Sequence, residues 1–386
     1  MFNIFTLNKI AECGTKKFGA NYTMTDTMDS ADAVMVRSAA MHDMELPDSL
    51  KAIARAGAGV NNIPIEKCSE KGIVVFNTPG ANANAVKELV IAGLLMSSRR
   101  ISAAMDWAKT LKGNGAEVGK MVEKGKGAFA GPEILGKTLG VVGLGAIGVL
   151  VANAAQHLGM KVIGYDPYVS VVNAWGLYNN VGHAESLDEI YAQCDYISLH
   201  VPLIPDTKGM VNTETLSKCK DGVRILNFAR DALVNDADML KALDSGKVAA
   251  YVTDFPTDTV LCNDKVIAIP HLGASTPESE DNCAVMAADE LVEFLELGNI
   301  KNSVNFPDVS MPKSGEIRLC VVHKNIPAVL TKISGVVAEG GQNIENMASS
   351  VKKEYAYTLL DITGTVNDAM LASIKEIDGV INVRMI

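Results

Sequence analysis

Residues 139–148 read LGVVGLGAIG, an apolar run that passes directly into three glycines spaced as G-x-G-x-x-G. The run Leu139–Val142 predicts a buried strand, and Ala146–Leu158 continues with helical periodicity. In such a strand–turn–helix unit the first glycine permits the tight turn, the second admits a pyrophosphate, and the third lets helix and strand pack closely. The next predicted strand, Lys161–Tyr165, ends at Asp166. The stretch therefore predicts a dinucleotide-binding βαβ unit.

The acidic residue after the second strand indicates which dinucleotide is bound. A carboxylate at this position accepts hydrogen bonds from the adenosine ribose hydroxyls and repels a 2′-phosphate. No Arg or Lys follows Asp166 directly. We therefore expect NAD rather than NADP as the cofactor.

Composition narrows the class of protein. The chain has 386 residues, 48% hydrophobic and 21% charged, with a net charge of −10. The length predicts two to three domains, and the acidic charge disfavours nucleic acid as a partner. The seven cysteines are dispersed without a C-x-x-C, which indicates a reducing compartment and no metal site. No signal peptide or membrane span is predicted, so we expect a cytoplasmic protein that acts on a small molecule.

Short apolar runs alternate with helical patterns through most of the chain. This alternation predicts parallel sheets with helices on both faces, and the continuous runs are typical of strands buried on both sides. Further predicted strands are Ala33–Val36, Ile73–Phe76, Tyr196–Leu199, Val223–Leu226, Val248–Val252 and Val266–Ile269. The expected fold class is α/β, with two Rossmann-like, doubly wound parallel-sheet domains.

The pattern changes after about residue 300. Residues 305–316 include Pro307 and Pro312 and predict a linker. The order of patterns beyond it is β-α-β-β-α-β, which is that of the ferredoxin-like fold. The predicted elements are Ile317–Val322, Pro327–Glu339, Ile344–Ser350, Tyr355–Ile362, Asp368–Lys375 and Val380–Met385.

Polar side chains follow several predicted strands, and ligands of open α/β sheets bind at the carboxyl ends of strands. His271 and His200 each follow a strand, and either could act as a general acid or base. Arg230 follows another strand and can bind a carboxylate bidentately. Asp254 and Asp258 follow a fourth strand, and either could orient a histidine. Residue chemistry alone leaves these choices open.

Several stretches resemble, in order and spacing, those of the D-isomer-specific 2-hydroxyacid dehydrogenases. The matching segments are GLGAIG at 143–148, HVPL at 200–203 followed by Thr207, NFAR at 227–230 and PHLGAST at 270–276. Residues 55–62 and 77–82 resemble substrate-domain loops of that family, and residues 317–386 resemble an ACT regulatory domain. The resemblance covers essentially the whole chain.

The resemblance implies a role for each matching position. His271 becomes the acid/base, Arg230 binds the substrate carboxylate, and Asp258 stands where the family has a glutamate that pairs with the histidine. Asp254 or Thr253 would lie near the nicotinamide. The implied cofactor contacts are Gly143, Gly145, Ala146, Ile147, Gly148, Asp166, Val201, Pro202, Thr207, Phe228, Ala229, Arg230, Asp254, His271 and Gly273. The implied substrate contacts are Arg37 and Ser38 for a phosphate, Ala58, Gly59 and Val60 for the carboxylate, and Asn82.

The resemblance also implies a domain plan and a reaction. The plan is a substrate-binding domain (1–92 and 285–304), an NAD-binding domain (93–284), a linker (305–316) and an ACT domain (317–386). The reaction is NAD-dependent oxidation of 3-phospho-D-glycerate to 3-phosphohydroxypyruvate, the first step of L-serine biosynthesis.

Regulation and assembly are implied in the same way. The positions of His323, Asn325 and Asn343 match those at which the family's ACT domains hold L-serine, which is the implied effector. The family pairs its nucleotide domains, so a homodimer or homotetramer is expected. Two other interpretations stay open: a different D-2-hydroxyacid dehydrogenase, and a non-catalytic NADH-binding regulator on the same fold.

Overall fold

The computed structural model describes residues 1–386 and divides the chain into two compact units, the first formed by 1–82 with 277–386 and the second by 83–276. The strands are β1 (Phe2–Thr6), β2 (Tyr22–Thr25), β3 (Ala33–Val36), β4 (Ala52–Arg55), β5 (Val74–Asn77), β6 (Thr138–Val142), β7 (Lys161–Tyr165), β8 (Gly182–His183), β9 (Tyr196–Leu199), β10 (Val223–Asn227), β11 (Val248–Thr253), β12 (Val266–Ala268), β13 (Ile317–Lys324), β14 (Asn343–Lys352), β15 (Tyr355–Thr363) and β16 (Val380–Met385). The α-helices are α1 (Glu12–Thr15), α2 (Ile65–Glu70), α3 (Ala83–Arg99), α4 (Ile101–Thr110), α5 (Val118–Gly125), α6 (Ala146–His157), α7 (Val171–Trp175), α8 (Leu187–Gln193), α9 (Thr213–Lys218), α10 (Asp236–Ser245), α11 (Pro277–Leu297), α12 (Val329–Glu339) and α13 (Asp368–Lys375). None of these helices combines the length and the apolar composition that a membrane span requires.

The chain passes from one compact unit to the other at Ala83 and at Pro277, and the sequence places its domain boundaries near residues 93 and 285. Both positions begin long helices, α3 and α11.

The first unit contains a five-stranded parallel sheet in the order β2-β1-β3-β4-β5. All four residues of β3 are buried, as its continuous apolar run predicts. Alternate residues of the strands, among them Ile4, Met35 and Phe76, pack with Leu291 and Phe294 of α11. The opposite face forms a second cluster under the loops and α2. The sheet is therefore covered on both sides.

The second unit contains seven parallel strands in the order β12-β11-β10-β9-β6-β7-β8. The chain runs outward in one direction through β6, β7 and β8, and in the other through β9 to β12. The strand order thus reverses between β6 and β9, where open α/β sheets bind their ligands. The predicted doubly wound fold is confirmed.

The last four strands form an antiparallel sheet in the order β14-β15-β13-β16. Helices α12 and α13 cover one face, and the element order is the predicted β-α-β-β-α-β. On the other face, the middle strands β13 and β15 are buried, since Val322 and Tyr357 share one hydrophobic core with Phe294 and Leu295 of α11.

The predicted linker is consequently a packed segment. Phe306, Val309 and Met311 are buried in that same core, and Ile300 and Val309 exchange backbone hydrogen bonds of 2.8 and 3.0 Å. Residues 317–386 form a sheet of their own and are grouped with residues 1–82 in the first compact unit, and their assignment as an ACT domain stays a prediction. Apolar side chains on both faces of the sheet explain why it docks there.

Candidate active site

The glycine turn after β6 has two glycines that no other residue could replace without rearrangement. Gly143 has φ of +94°, and a Cβ there would lie 2.6 Å from His200 O. A Cβ on Gly148 would collide with Gly143 O. At Gly145, in contrast, a Cβ would meet no atom within 4 Å. The turn is therefore tight inside and open at Gly145, where the amino end of α6 offers N–H groups and a partial positive charge to a pyrophosphate.

Asp166 fixes this turn from the neighbouring strand. Its Oδ2 accepts from Leu144 N at 2.8 Å, and its Oδ1 accepts from Tyr168 N at 2.8 Å. Each carboxylate oxygen keeps a further acceptor site for a ribose hydroxyl. The residues present therefore fit NAD, which the sequence predicts.

The segment after β9 lies directly beside the glycine turn. A Cβ on Gly143 would lie 3.0 Å from Val201 Cγ1. The Thr207 hydroxyl donates to Pro202 O at 2.6 Å and accepts from Ile204 N at 2.9 Å, which closes the 202–207 loop. Predicted cofactor contacts from two strands thus meet at one edge of the sheet.

His200 is held inside the unit. Its backbone N donates to Val142 O at 2.7 Å, and its Nε2 lies 2.8 Å from Ser198 Oγ. Burial lowers the pKa of His200 to about 4. These contacts give His200 a structural role inside the unit. His271 is therefore the remaining candidate for the general acid or base.

His271, Arg230 and Asp254 form a second group at the carboxyl edge of the sheet. Asp254 is only 1% exposed, and its Oδ1 has no hydrogen-bond partner. Burial raises the pKa of Asp254, while the nearby charges of His271 and Arg230 oppose that shift. Gly273 lies beside this carboxylate, and a Cβ at position 273 would lie 3.5 Å from Asp254 Oδ2. The ring of Phe255 packs against the exposed His271 ring, with centroids 4.6 Å apart.

Arg230 lies on a turn that hydrogen bonds from a buried side chain stabilise. The fully buried Asn227 donates to Arg230 O at 2.8 Å and accepts from Ala229 N at 3.2 Å. Phe228 is buried beside it, and the Arg230 side chain is exposed. Sequence reasoning missed Asn227 as a positioning residue; an amide at the last position of a strand, before a candidate arginine, is the signal that points to it.

Asp258 is not joined to His271 in the structure. Its side chain is exposed and makes no hydrogen bond or ion pair. The neighbouring Thr257 is held by Asp236 at 2.6 Å, so the segment itself is anchored. The aspartate that interacts electrostatically with His271 is Asp254.

Comparison with known proteins places this geometry in a family. Residues 91–273 match the model for the D-isomer specific 2-hydroxyacid dehydrogenase NAD binding domain. The D-3-phosphoglycerate dehydrogenase of Haemophilus influenzae is 32% identical over 355 residues, which are 89% of this chain and 83% of the relative. The chain belongs to the D-isomer specific 2-hydroxyacid dehydrogenase family.

Other members of the family give a consistent result. The human D-3-phosphoglycerate dehydrogenase is 36% identical over 289 residues, and these are 72% of this chain but about half (51%) of that relative. The NAD⁺-bound 3-phosphoglycerate dehydrogenase of Entamoeba histolytica superposes with a TM-score of 0.60 at 29% identity, covering 79% of this chain and 98% of that one.

The loops that the sequence predicts to bind substrate follow strands of the first unit. Arg37, after β3, donates to Glu280 Oε1 at 2.6 Å, and Ser38 beside it is exposed. Asn82 is the last residue before α3. The roles of these residues in substrate binding remain a prediction.

The loop at Ala58, Gly59 and Val60 lies over an arginine that sequence reasoning did not single out. A Cβ on Gly57 would lie 2.5 Å from Arg55 Nη1, and Arg55 Nε donates to Arg37 O at 3.0 Å. Asn77 Nδ2 donates to Ala58 O and holds the loop from the next strand. An arginine at the end of a strand, immediately before a glycine-rich loop, is the signal that identifies Arg55.

The candidate effector residues divide into one buried and two exposed side chains. His323 is 4% exposed, and its Nδ1 and Nε2 each lie 2.9 Å from an internal partner, Lys324 O and Thr358 Oγ1. Asn325 and Asn343 are exposed. His323 is therefore engaged within the sheet, whereas the two amides face outward.

Proposed function

We propose that this protein oxidises 3-phospho-D-glycerate to 3-phosphohydroxypyruvate with NAD⁺, the first step of L-serine biosynthesis. The observation that carries the proposal is the group of His271, Arg230 and buried Asp254 on the unit that bears the glycine turn. The relatives named D-3-phosphoglycerate dehydrogenase support the identity of the substrate.

His271 is proposed to remove the proton of the substrate's 2-hydroxyl. A neutral imidazole accepts this proton as the carbonyl forms, and the carboxylate of Asp254 stabilises the imidazolium. NAD⁺, when bound, supplies the acceptor for the hydride that leaves C2. Phe255 packs against the His271 ring and limits its rotation.

Arg230 is proposed to orient the substrate, and loops of the first unit are proposed to contact it. A guanidinium binds a carboxylate with two parallel hydrogen bonds, so Arg230 fixes the end of the molecule next to C2. Backbone N–H groups at Ala58, Gly59 and Val60 are proposed to bind a substrate carboxylate. Arg37 and Ser38 are proposed to bind the phosphate.

Turnover of 3-phospho-D-glycerate tests the proposal directly. NADH formation is measured with 3-phospho-D-glycerate and with unphosphorylated D-glycerate, and His271→Ala serves as the control. We expect the phosphorylated acid to have the higher kcat/KM. A preference for an unphosphorylated acid would instead indicate another D-2-hydroxyacid dehydrogenase, and NADH binding without any turnover would indicate the regulator.

We also propose that L-serine lowers the activity through the C-terminal sheet. Asn325 and Asn343 each offer a donor and an acceptor, which suits the ammonium and carboxylate of an amino acid. The buried His323 holds the loop that carries Asn325. Calorimetry with L-serine, on the wild type and on Asn325→Ala, tests this. Absence of serine binding and of inhibition would leave the sheet as a structural part only.

The remaining proposals concern location and assembly. All seven cysteines are unpaired in the structure, which supports a cytoplasmic location. We infer a homodimer or homotetramer from the family's pairing of nucleotide domains. Light scattering of the purified protein measures the oligomeric state, and a monomer would contradict this inference.

A further inference from the structure

Asn8 lies where two strands of the first unit end side by side. Strands β1 and β3 pair in parallel, with Thr6 opposite Met35, so the residues that follow them meet at one edge. Asn8 Oδ1 accepts hydrogen bonds from three consecutive backbone N–H groups: Arg37 at 3.2 Å, Ser38 at 3.2 Å and Ala39 at 3.0 Å. This single amide oxygen therefore fixes the loop that carries Arg37 and Ser38.

The three bonds also determine how an anion can be bound here. Successive backbone N–H groups that converge on one point form an anion-binding concavity, and Asn8 Oδ1 occupies it. The N–H groups of Arg37, Ser38 and Ala39 are consequently occupied and not free for a phosphate. Recognition of an anion falls to side chains.

The orientation of the Asn8 amide follows from the same contacts. An oxygen that accepts three N–H groups cannot exchange places with the amino group, because Nδ2 has no acceptor capacity. The amino group makes no hydrogen bond within the protein, and the side chain is partly exposed. Asn8 thus presents two free N–H donors beside the Arg37 loop.

Arg37 itself is partly neutralised. Its Nη2 donates to Glu280 Oε1 at 2.6 Å, and both side chains are 42% exposed. The other guanidinium N–H groups and the Ser38 hydroxyl have no partner within the protein. Glu280 thus reduces the positive charge available to a doubly charged phosphate at this loop. A further neutral donor would strengthen the binding of that phosphate by adding hydrogen bonds.

We infer that Asn8 is a specificity-determining residue that both positions the Arg37–Ala39 loop through its carbonyl oxygen and donates to the substrate phosphate through its amino group. The inference rests on the proposed function. It predicts that the two roles of the one amide can be separated by mutation.

Asn8→Asp separates them. An aspartate keeps an oxygen for the three N–H groups, but it has no amino group and places a negative charge beside the phosphate. Asn8→Ala removes both functions. Asn21→Asp is the matched control, because Asn21 belongs to the same unit, is exposed and makes no side-chain hydrogen bond.

The ratio of kcat/KM for 3-phospho-D-glycerate to that for D-glycerate is measured together with the melting temperature. We expect Asn8→Asp to lower the ratio by about 10- to 100-fold, the loss of hydrogen bonds to a charged group, and to keep the wild-type melting temperature. Asn8→Ala lowers the ratio and also lowers the melting temperature by about 2–4 °C. Asn21→Asp changes neither.

Two results would overturn the inference, and they are distinguishable. If the wild type prefers 3-phospho-D-glycerate and Asn8→Asp keeps the wild-type ratio, the amino group does not contact the phosphate and only this inference fails. If the wild type itself has no preference for the phosphorylated acid, the proposed function fails and the inference with it.

Discussion

Arg318 and Asp361 form a two-point ion pair inside the first unit. Arg318 Nε lies 2.6 Å from Asp361 Oδ1, Nη2 lies 2.9 Å from Oδ2, and both side chains are fully buried. The third guanidinium nitrogen donates to Leu297 O at 2.7 Å and to Met311 O at 2.9 Å. The pair thus joins the C-terminal sheet to the end of α11. Although burial acts to raise it, Arg318 and Ser314 hold the pKa of Asp361 below its usual value.

Removing one member of this pair should be costly. Arg318→Ala leaves Asp361 charged and buried without its partner, and we expect a loss of about 3–5 kcal/mol in the free energy of unfolding. Lys16→Ala breaks the exposed Lys16–Glu12 pair, which solvent screens, and should leave the free energy of unfolding close to that of the wild type. Urea denaturation of both variants measures the difference, and equal midpoints would contradict the anchoring role.

The proposed proton transfer predicts a hierarchy of variants. His271→Ala should lower kcat by about 10²–10⁴-fold, the usual contribution of a general base. Asp254→Asn should lower kcat more than Asp258→Asn, because Asp254 is buried and interacts with His271 whereas Asp258 is exposed. Steady-state kinetics decides between the two aspartates, and the reverse order would restore Asp258 as the partner.

Asp166 should determine the choice of dinucleotide. Its carboxylate repels a 2′-phosphate, so Asp166→Ser should shift the kcat/KM ratio for NADP over NAD upward by at least about tenfold. Some affinity for NAD should also be lost, since the carboxylate holds Leu144 N. The exposed Asp264→Ser is the control. Unchanged discrimination in the Asp166 variant would mean that another residue excludes NADP.

Glu290 should make stability depend on pH. It is 7% exposed, Asn302 donates to its Oε1 at 2.7 Å, and its Oε2 has no partner. Burial raises the pKa of Glu290 from 4.5 to about 8. The folded state therefore holds a proton that the unfolded state releases above pH 4.5, so this contribution is complete at low pH and is lost as the pH rises towards 8.

Glu290→Gln removes that titration while keeping the shape of the side chain. Relative to the wild type, the variant should gain on the order of 2–4 kcal/mol between about pH 5 and pH 8. Urea denaturation across this range measures the gain. Glu278→Gln, exposed on the same helix, should follow the wild-type curve. Parallel curves for the wild type and the Glu290 variant would show that the carboxyl is ionised in the folded protein.

Most strands of the second unit were predictable because their signal is local, whereas β1, β2, β4 and β8 were not predicted. Tyr196–Leu199 and Lys161–Tyr165 are found with the predicted ends, since each is a short apolar run between polar residues. The docking of the C-terminal sheet was not predicted, because its partner surface lies on α11, distant in sequence. The sequence nevertheless contains a signal for this burial. Leu319–Val322 is continuously apolar, whereas an antiparallel strand with one solvent-exposed face would alternate apolar and polar residues.

The candidate site was predictable where a motif fixes the backbone. The glycine turn could be located from the spacing of its glycines alone, because each of these glycines has a role in the geometry of the turn. Whether Asp254 or Asp258 is buried depends on packing that no spacing encodes. Asn8 was missed for a similar reason, since a single asparagine after a strand is no motif until its three donors are seen.

The shared core of α11 and the C-terminal sheet limits which changes of sequence this protein can tolerate. A recombination event that deleted residues 317–386 in one step would expose Phe294 and Leu295 to water and strip the donors from the last carbonyls of α11. Replacement of residues 317–386 by an unrelated segment would place side chains against α11 that do not match its apolar surface. A substitution on one side of this interface is therefore best tolerated when the other side changes with it.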